Sequence, residues 1–227
     1  MKKIVLALTA ALSFGSAHAG FGSISSFASK VTEGVSGVSS SNVDVNGFLT
    51  KANVTSNLFL ESRAQLAYAL ASKADADELK TRLTSLQSAS DLKEKDAIQK
   101  QIKKLSDQVL EASKKDEAQT IETLQAMDEK KRQFVVDSMA NFTIAALGAT
   151  ELVHNSKQVS LSIVADPSTL TNSGLTLSDS KNLIGNISDI AKNSSGALIE
   201  YPKLLKKAGI QYTAPTSAAT KPKEVTL

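Results

Sequence analysis

From Asp44 onward the apolar residues return every three or four positions, the repeat of helices that bury one face. Asn42 to Asn46 reads as a turn, and Asp44 can cap a helix carrying Phe48, Leu49, Ala52, Leu58, Leu60, Leu66 and Leu70. Leu79, Leu83 and Leu86 form a second seam. Ile98, Ile102, Leu105 and Val109 form a third, at the a/d spacing of a coiled coil. Between Leu86 and Ile98 no single register holds. Ser88-Ala89-Ser90-Asp91, with Asp91 and Glu94 as a box-like cap, therefore predicts a helix break or hairpin tip.

Past Gln133 the repeat continues through Val135, Met139, Phe142, Ala146, Ala149 and Val153 in an alanine-rich run. Small residues at Ala145, Ala146, Gly148 and Ala149 let a neighbouring helix approach closely, so this run is the predicted core helix. Val159, Leu161 and Ile163 then alternate with Ser160 and Ser162, a period of two that fits a short strand. Pro167 ends whatever precedes it. After a turn-rich connection over 168–176, Ser178-Asp179 can open a helix through Leu183, Ile184, Ile187 and Ile190, which Asn193-Ser194-Ser195-Gly196 closes. A last helical piece carries Leu198, Ile199, Leu204 and Leu205, limited by Pro202 at its start and Gly209 at its end. Beyond Thr213, Pro, Thr, Ser, Ala and Lys dominate, the composition of a disordered tail.

The expected fold is all-α: a long antiparallel helical hairpin or bundle over 44–166 with a coiled-coil-like arm, and a shorter C-terminal helical pair over 167–212 that packs on it. Residues 213–227 form the tail.

The amino-terminal 43 residues have a different character. Met1-Lys2-Lys3, an apolar run from Ile4 to Phe14 and Ala17-His18-Ala19 before Gly20 match a cleavable secretory signal over 1–19. The run is short for a transmembrane helix, which needs about 20 apolar residues. Residues 20–43 form a leader rich in Ser and Gly, yet Phe21, Ile24, Ala28, Val31, Val35 and Val38 keep helical spacing. A helix there would be weak without a surface to lie on, because each interior glycine costs about 0.8–1 kcal/mol relative to alanine.

Cleavage after Ala19 changes the charge argument. Losing Lys2 and Lys3 takes the formal net charge from +3 to +1, which leaves little basis for binding nucleic acid. The charged stretch from Lys73 to Gln133 holds thirteen basic and thirteen acidic side chains, a solvated face rather than a phosphate site. Acid-before-base pairs four apart, such as Glu78 with Arg82 and Asp96 with Lys100, support exposed helices. No cysteine exists to form a disulfide, a thiolate metal site or a thiol nucleophile.

Candidate chemistry is sparse. Ser178 with Lys181 and Ser90 with Lys93 fit the S-x-x-K spacing of acyl-enzyme formation, where an amine on the next helical turn activates the hydroxyl. Both serines sit at expected helix starts, and no K-[ST]-G segment follows. Asp75, Asp77 and Glu78 lack the glycine and distant glutamate of a calcium loop and read as first-turn acids. His154 is the one histidine outside the signal, with Glu151 as a neighbour able to hydrogen-bond it. Lys130-Lys131-Arg132 follows Asp128 and Glu129, so its charge is locally balanced.

The expectation is an exported, non-catalytic protein of the periplasm or the medium, with neither metal nor cofactor. It would act through a protein partner or self-association, and a membrane surface entered by the leader is the alternative. The residues expected to make such contacts are Phe21, Ile24, Val31, Val35 and Val38 in the leader, and Ile98, Ile102, Leu105 and Val109 in the arm.

Overall fold

Asp44 caps the first helix as its spacing predicts: its carboxylate accepts the Gly47 N–H at 2.8 Å. The computed structural model describes residues 44–170 and 175–225. The expected signal over 1–19 and the expected leader stripe from Phe21 to Val38 lie outside the described residues. Among the described residues six α-helices follow one another: α1 (Val45–Leu70), α2 (Lys73–Ser88), α3 (Leu92–Lys115), α4 (Glu117–Gln125), α5 (Glu129–Ala165) and α6 (Leu177–Lys207), with a 3-10 turn at Pro167–Leu170. No strand occurs among the described residues.

The centre is a three-helix layer of α1, α5 and α6. Phe59 packs on Phe142 with ring centroids 4.9 Å apart, and Tyr68 meets Phe134 at 6.1 Å, so α1 and α5 run antiparallel. Gly148 lets them close up. A Cβ placed there would lie 3.2 Å from the Thr55 hydroxyl, which bears out the small-residue reading of this run.

Helices α2 and α3 form the predicted hairpin, with its tip at Ala89–Asp91. This hairpin does not project. Asn57 of α1 accepts from Gln99 of α3, and Arg63 pairs with Asp107, which lays α3 parallel along α1. Ile102 joins Ala64 and Leu83 in a small apolar cluster flanked by Ile98, while Val109 and Leu105 enter the main core. The coiled-coil-like seam thus packs against the chain's own helices, with Ile102 and Val109 buried and Ile98 and Leu105 half-buried.

Three local expectations are corrected. Val159, Leu161 and Ile163 belong to α5 and not to a strand: Val159 and Ile163, four apart, are buried, whereas Leu161 points outward at 62% exposure. Likewise, Asn193-Ser194-Ser195-Gly196 and Pro202 do not divide the C-terminal region. α6 passes through them because Ser194, Ala197 and Tyr201 are buried against the body, and such tertiary burial outweighs weak local propensity. The 213–227 tail, finally, is an ordered extended segment as far as Val225, for the reasons given below.

Gly209 decides where that segment goes. It takes φ +75°, a conformation natural to glycine, and the Ile210 N–H returns to the Leu205 carbonyl at 2.8 Å. Ile210 is buried, so the chain leaves α6 turned back onto the bundle.

Ile163→Ala is expected to cost about 2–5 kcal/mol and Leu161→Ala less than about 0.5 kcal/mol. Denaturant unfolding of the two variants checks this, and similar losses would contradict the helical register.

Candidate functional site

Residues Ser138 to Ala146 of α5 are buried without interruption, which a helix achieves only when every side is covered. Nine such residues span two and a half turns. α1 and α6 cover part of the circumference, and the extended segment after Tyr212 covers more of it.

That segment runs out and back. The Tyr212 hydroxyl lies 2.8 Å from the Thr143 hydroxyl, and Ala218 comes within 3.8 Å of a Cβ placed on Gly148. A turn at 217–220 reverses the chain, with the Thr220 N–H on the Ser217 carbonyl at 3.2 Å and the Ala219 N–H on the Ser217 hydroxyl at 3.1 Å. The returning limb, 221–225, passes Asn141 and ends at Gln65, so it lies along the α1–α5 groove.

The groove grips this limb by its backbone. Asn141, only 4% exposed, donates to the Lys223 carbonyl at 2.9 Å and accepts the Lys223 N–H at 2.7 Å. One carboxamide thus completes both main-chain groups of one residue, as a neighbouring strand would. Gln65, 3% exposed, donates to the Val225 carbonyl at 3.4 Å and accepts the Ser138 hydroxyl at 3.4 Å. Pro222 is buried, while Lys221, Lys223 and Glu224 are exposed. The site therefore reads an extended main chain and one small apolar ring, not a particular set of charges.

Each hydrogen bond of this kind contributes about 0.5–1.5 kcal/mol net, whereas a buried amide left without partners costs about 1–3 kcal/mol. The groove consequently needs an occupant more than it rewards any given one. Burial also raises the Tyr212 hydroxyl pKa, against an opposing contribution from its Thr143 bond.

Glu61 stands one helical turn before Gln65 on α1. Burial pushes its pKa from 4.5 up to about 7. No hydrogen bond or ion pair to its carboxylate is formed among the described residues.

The other candidates fall elsewhere. Ser178 is exposed in the first turn of α6, whose cap is Thr176 in a reciprocal box with Asp179. Ser90 is exposed in the hairpin tip, with Asp91 as the cap of α3. Neither serine lines the small apolar cavity among α1, α4, α5 and α6. Asp75 is tied into the α2 start by the Ser72 hydroxyl at 2.8 Å, and His154 Nδ1 meets the Thr150 carbonyl rather than Glu151. Among the described residues no group of three or more acidic or histidine side chains is placed to hold a metal ion. A cavity of about 10 Å³ between Leu66, Leu124, Val135, Met139, Tyr201 and Leu204 has room for one water at most.

Sequence reasoning passed over Asn141, Gln65 and Ser138. The available signal was their polarity at positions where the helical repeat demands burial, above all Asn141 between Met139 and Phe142. No known family model matches the chain, and no curated protein or solved structure matches it either.

Because Glu61 binds its proton more tightly folded than unfolded, stability is expected to fall as pH rises from about 4.5 through 7. Glu61→Gln should match the parent near pH 4 and exceed it at pH 8, by no more than about 3 kcal/mol. Urea unfolding at the two pH values checks the sign.

Proposed function

We propose that this chain is an exported, non-catalytic interaction protein that binds extended polypeptide in the groove between α1 and α5. The observation that carries the reading is Asn141: a carboxamide buried in the middle of the core helix, closing the N–H and C=O of a single residue in an extended segment. Peptide recognition by strand-like main-chain pairing uses the same chemistry, with side-chain pockets adding selectivity. Here the buried Pro222 is the side chain that such a pocket would take.

Export rests on Met1-Lys2-Lys3, the apolar run from Ile4 to Phe14 and Ala17-His18-Ala19. Protein recovered from its native cells is expected to begin at Gly20 by N-terminal mass analysis; a retained Met1 would remove this part of the reading.

The groove is tested with a fluorescent peptide of the 218–227 sequence added to the full chain. Lys223→Pro in that chain removes the N–H that Asn141 accepts and loosens the intramolecular limb. The labelled peptide should bind this variant at least tenfold tighter than the parent, and adding Asn141→Leu should abolish binding. Anisotropy that is indifferent to Asn141, or no binding to either chain, would refute the proposal.

A further inference from the structure

We infer that the partner which fits this groove is the returning limb of a second copy of the same chain, exchanged in a symmetric dimer. The inference rests on the groove reading above and adds the identity of the occupant.

The occupant's chemistry is already defined by the limb seated in the groove: Pro222 buried, Lys223 paired twice with Asn141, Val225 under Gln65. A second copy presents those same groups. Exchange therefore replaces each contact by an identical one, the condition under which swapping an element between protomers costs little.

The connection is also built to open. Tyr212 is anchored to α5 through Thr143, and Ala218 comes against the body at Gly148. Thr213, Ala214, Thr216 and Ser217 between them are exposed around a half-buried Pro215, and the hydrogen bonds of 213–220 stay within the 217–220 turn. That turn is Ser-Ala-Ala-Thr, with neither glycine nor proline to favour a reversal. Opened out, 213–220 spans about 26–29 Å, at roughly 3.3–3.6 Å per residue. This is enough to cross from one bundle to another whose groove faces it. In a two-fold pair both limbs cross, and both grooves are filled.

Two substitutions report the crossing directly, in a chain that contains no cysteine of its own. A Cβ on Gly148 lies 3.8 Å from the Ala218 Cβ, the mean separation across a disulfide of about 3.8 Å. Full chain carrying only Gly148→Cys is mixed with full chain carrying only Ala218→Cys and oxidised gently. Exchange predicts a mixed disulfide dimer in excess of either homodimer. Adding Lys223→Pro to the Gly148→Cys chain empties the receiving groove and should raise the yield at least fivefold. Adding it to the Ala218→Cys chain weakens the donated limb and should lower the yield. Equal yields in all three mixtures would overturn the exchange.

Light scattering on the unsubstituted chain gives an independent check. A dimer fraction that grows with concentration and is lost in Asn141→Leu is expected, and a monomer up to millimolar concentration would overturn the inference. Should the labelled peptide bind Lys223→Pro chain while no mixed disulfide forms, the groove reading stands and only the identity of its occupant fails.

Discussion

The structure turns on the enclosure of the middle of α5. A helix whose consecutive residues from Ser138 to Ala146 are all buried must be walled on every side, and its neighbours are arranged to do so. Most of that wall is apolar: Phe59 on Phe142, and Tyr201, Leu204 and Leu205 of α6 near Val135 and Met139. One part is not. Asn141 brings two polar atoms into the enclosure, and only a group offering both a donor and an acceptor can complete them. The extended limb does this with the N–H and C=O of Lys223. An apolar residue at 141 would make no such demand, so the asparagine specifies a backbone as the covering surface.

The hairpin of α2 and α3 serves the same bundle from the opposite side of α1. Its apolar seam closes over Ala64, while the Arg63–Asp107 pair and the Asn57–Gln99 bond set its height along α1. At its far end α3 is held to α6 by the Tyr201 hydroxyl, which donates to the Leu110 carbonyl at 3.1 Å, and by Lys114 on Glu200 at 2.8 Å. Burial pushes the Tyr201 hydroxyl to about 12, so it stays protonated and keeps donating across the ordinary pH range. The exposed pairs, such as Lys100 with Asp96, are worth little individually. Their balanced signs leave a solvated outer face, and the polar features of consequence lie inside, around α1 and α5.

Local signals and tertiary demands separate cleanly along this chain. The Asp44 cap, the tip at 89–91 and the close approach at Gly148 were legible because a cap, a broken register and a small residue act within a turn or two. The run around Val159 misled because three residues cannot separate a period of two from a helix when one of them, Leu161, is apolar but exposed. Asn193 to Gly196 and Pro202 misled in the opposite direction. They weaken a helix locally, but Ile187, Ile190, Ala197 and Leu204 on either side are buried in one body and hold α6 continuous.

The 213–225 segment is a different kind of misreading, and it bears on how the groove works. Its side chains are mostly Thr, Ser, Ala, Pro and Lys, which bury too little to order a chain by themselves, and from composition it reads as disordered. It is ordered because the groove does not depend on those side chains. Asn141 and Gln65 take hold of the backbone, Gly148 makes room beside Ala218, and the buried ring of the returning limb is Pro222, whose fixed φ already suits an extended limb. Order in such a segment is a property of the surface that receives it. A limb recognised by its backbone carries few features that tie it to its own bundle, and a polar composition keeps it in water when it is released. The same traits that hid the limb from a sequence reading suit it to be given up by one groove and taken by another.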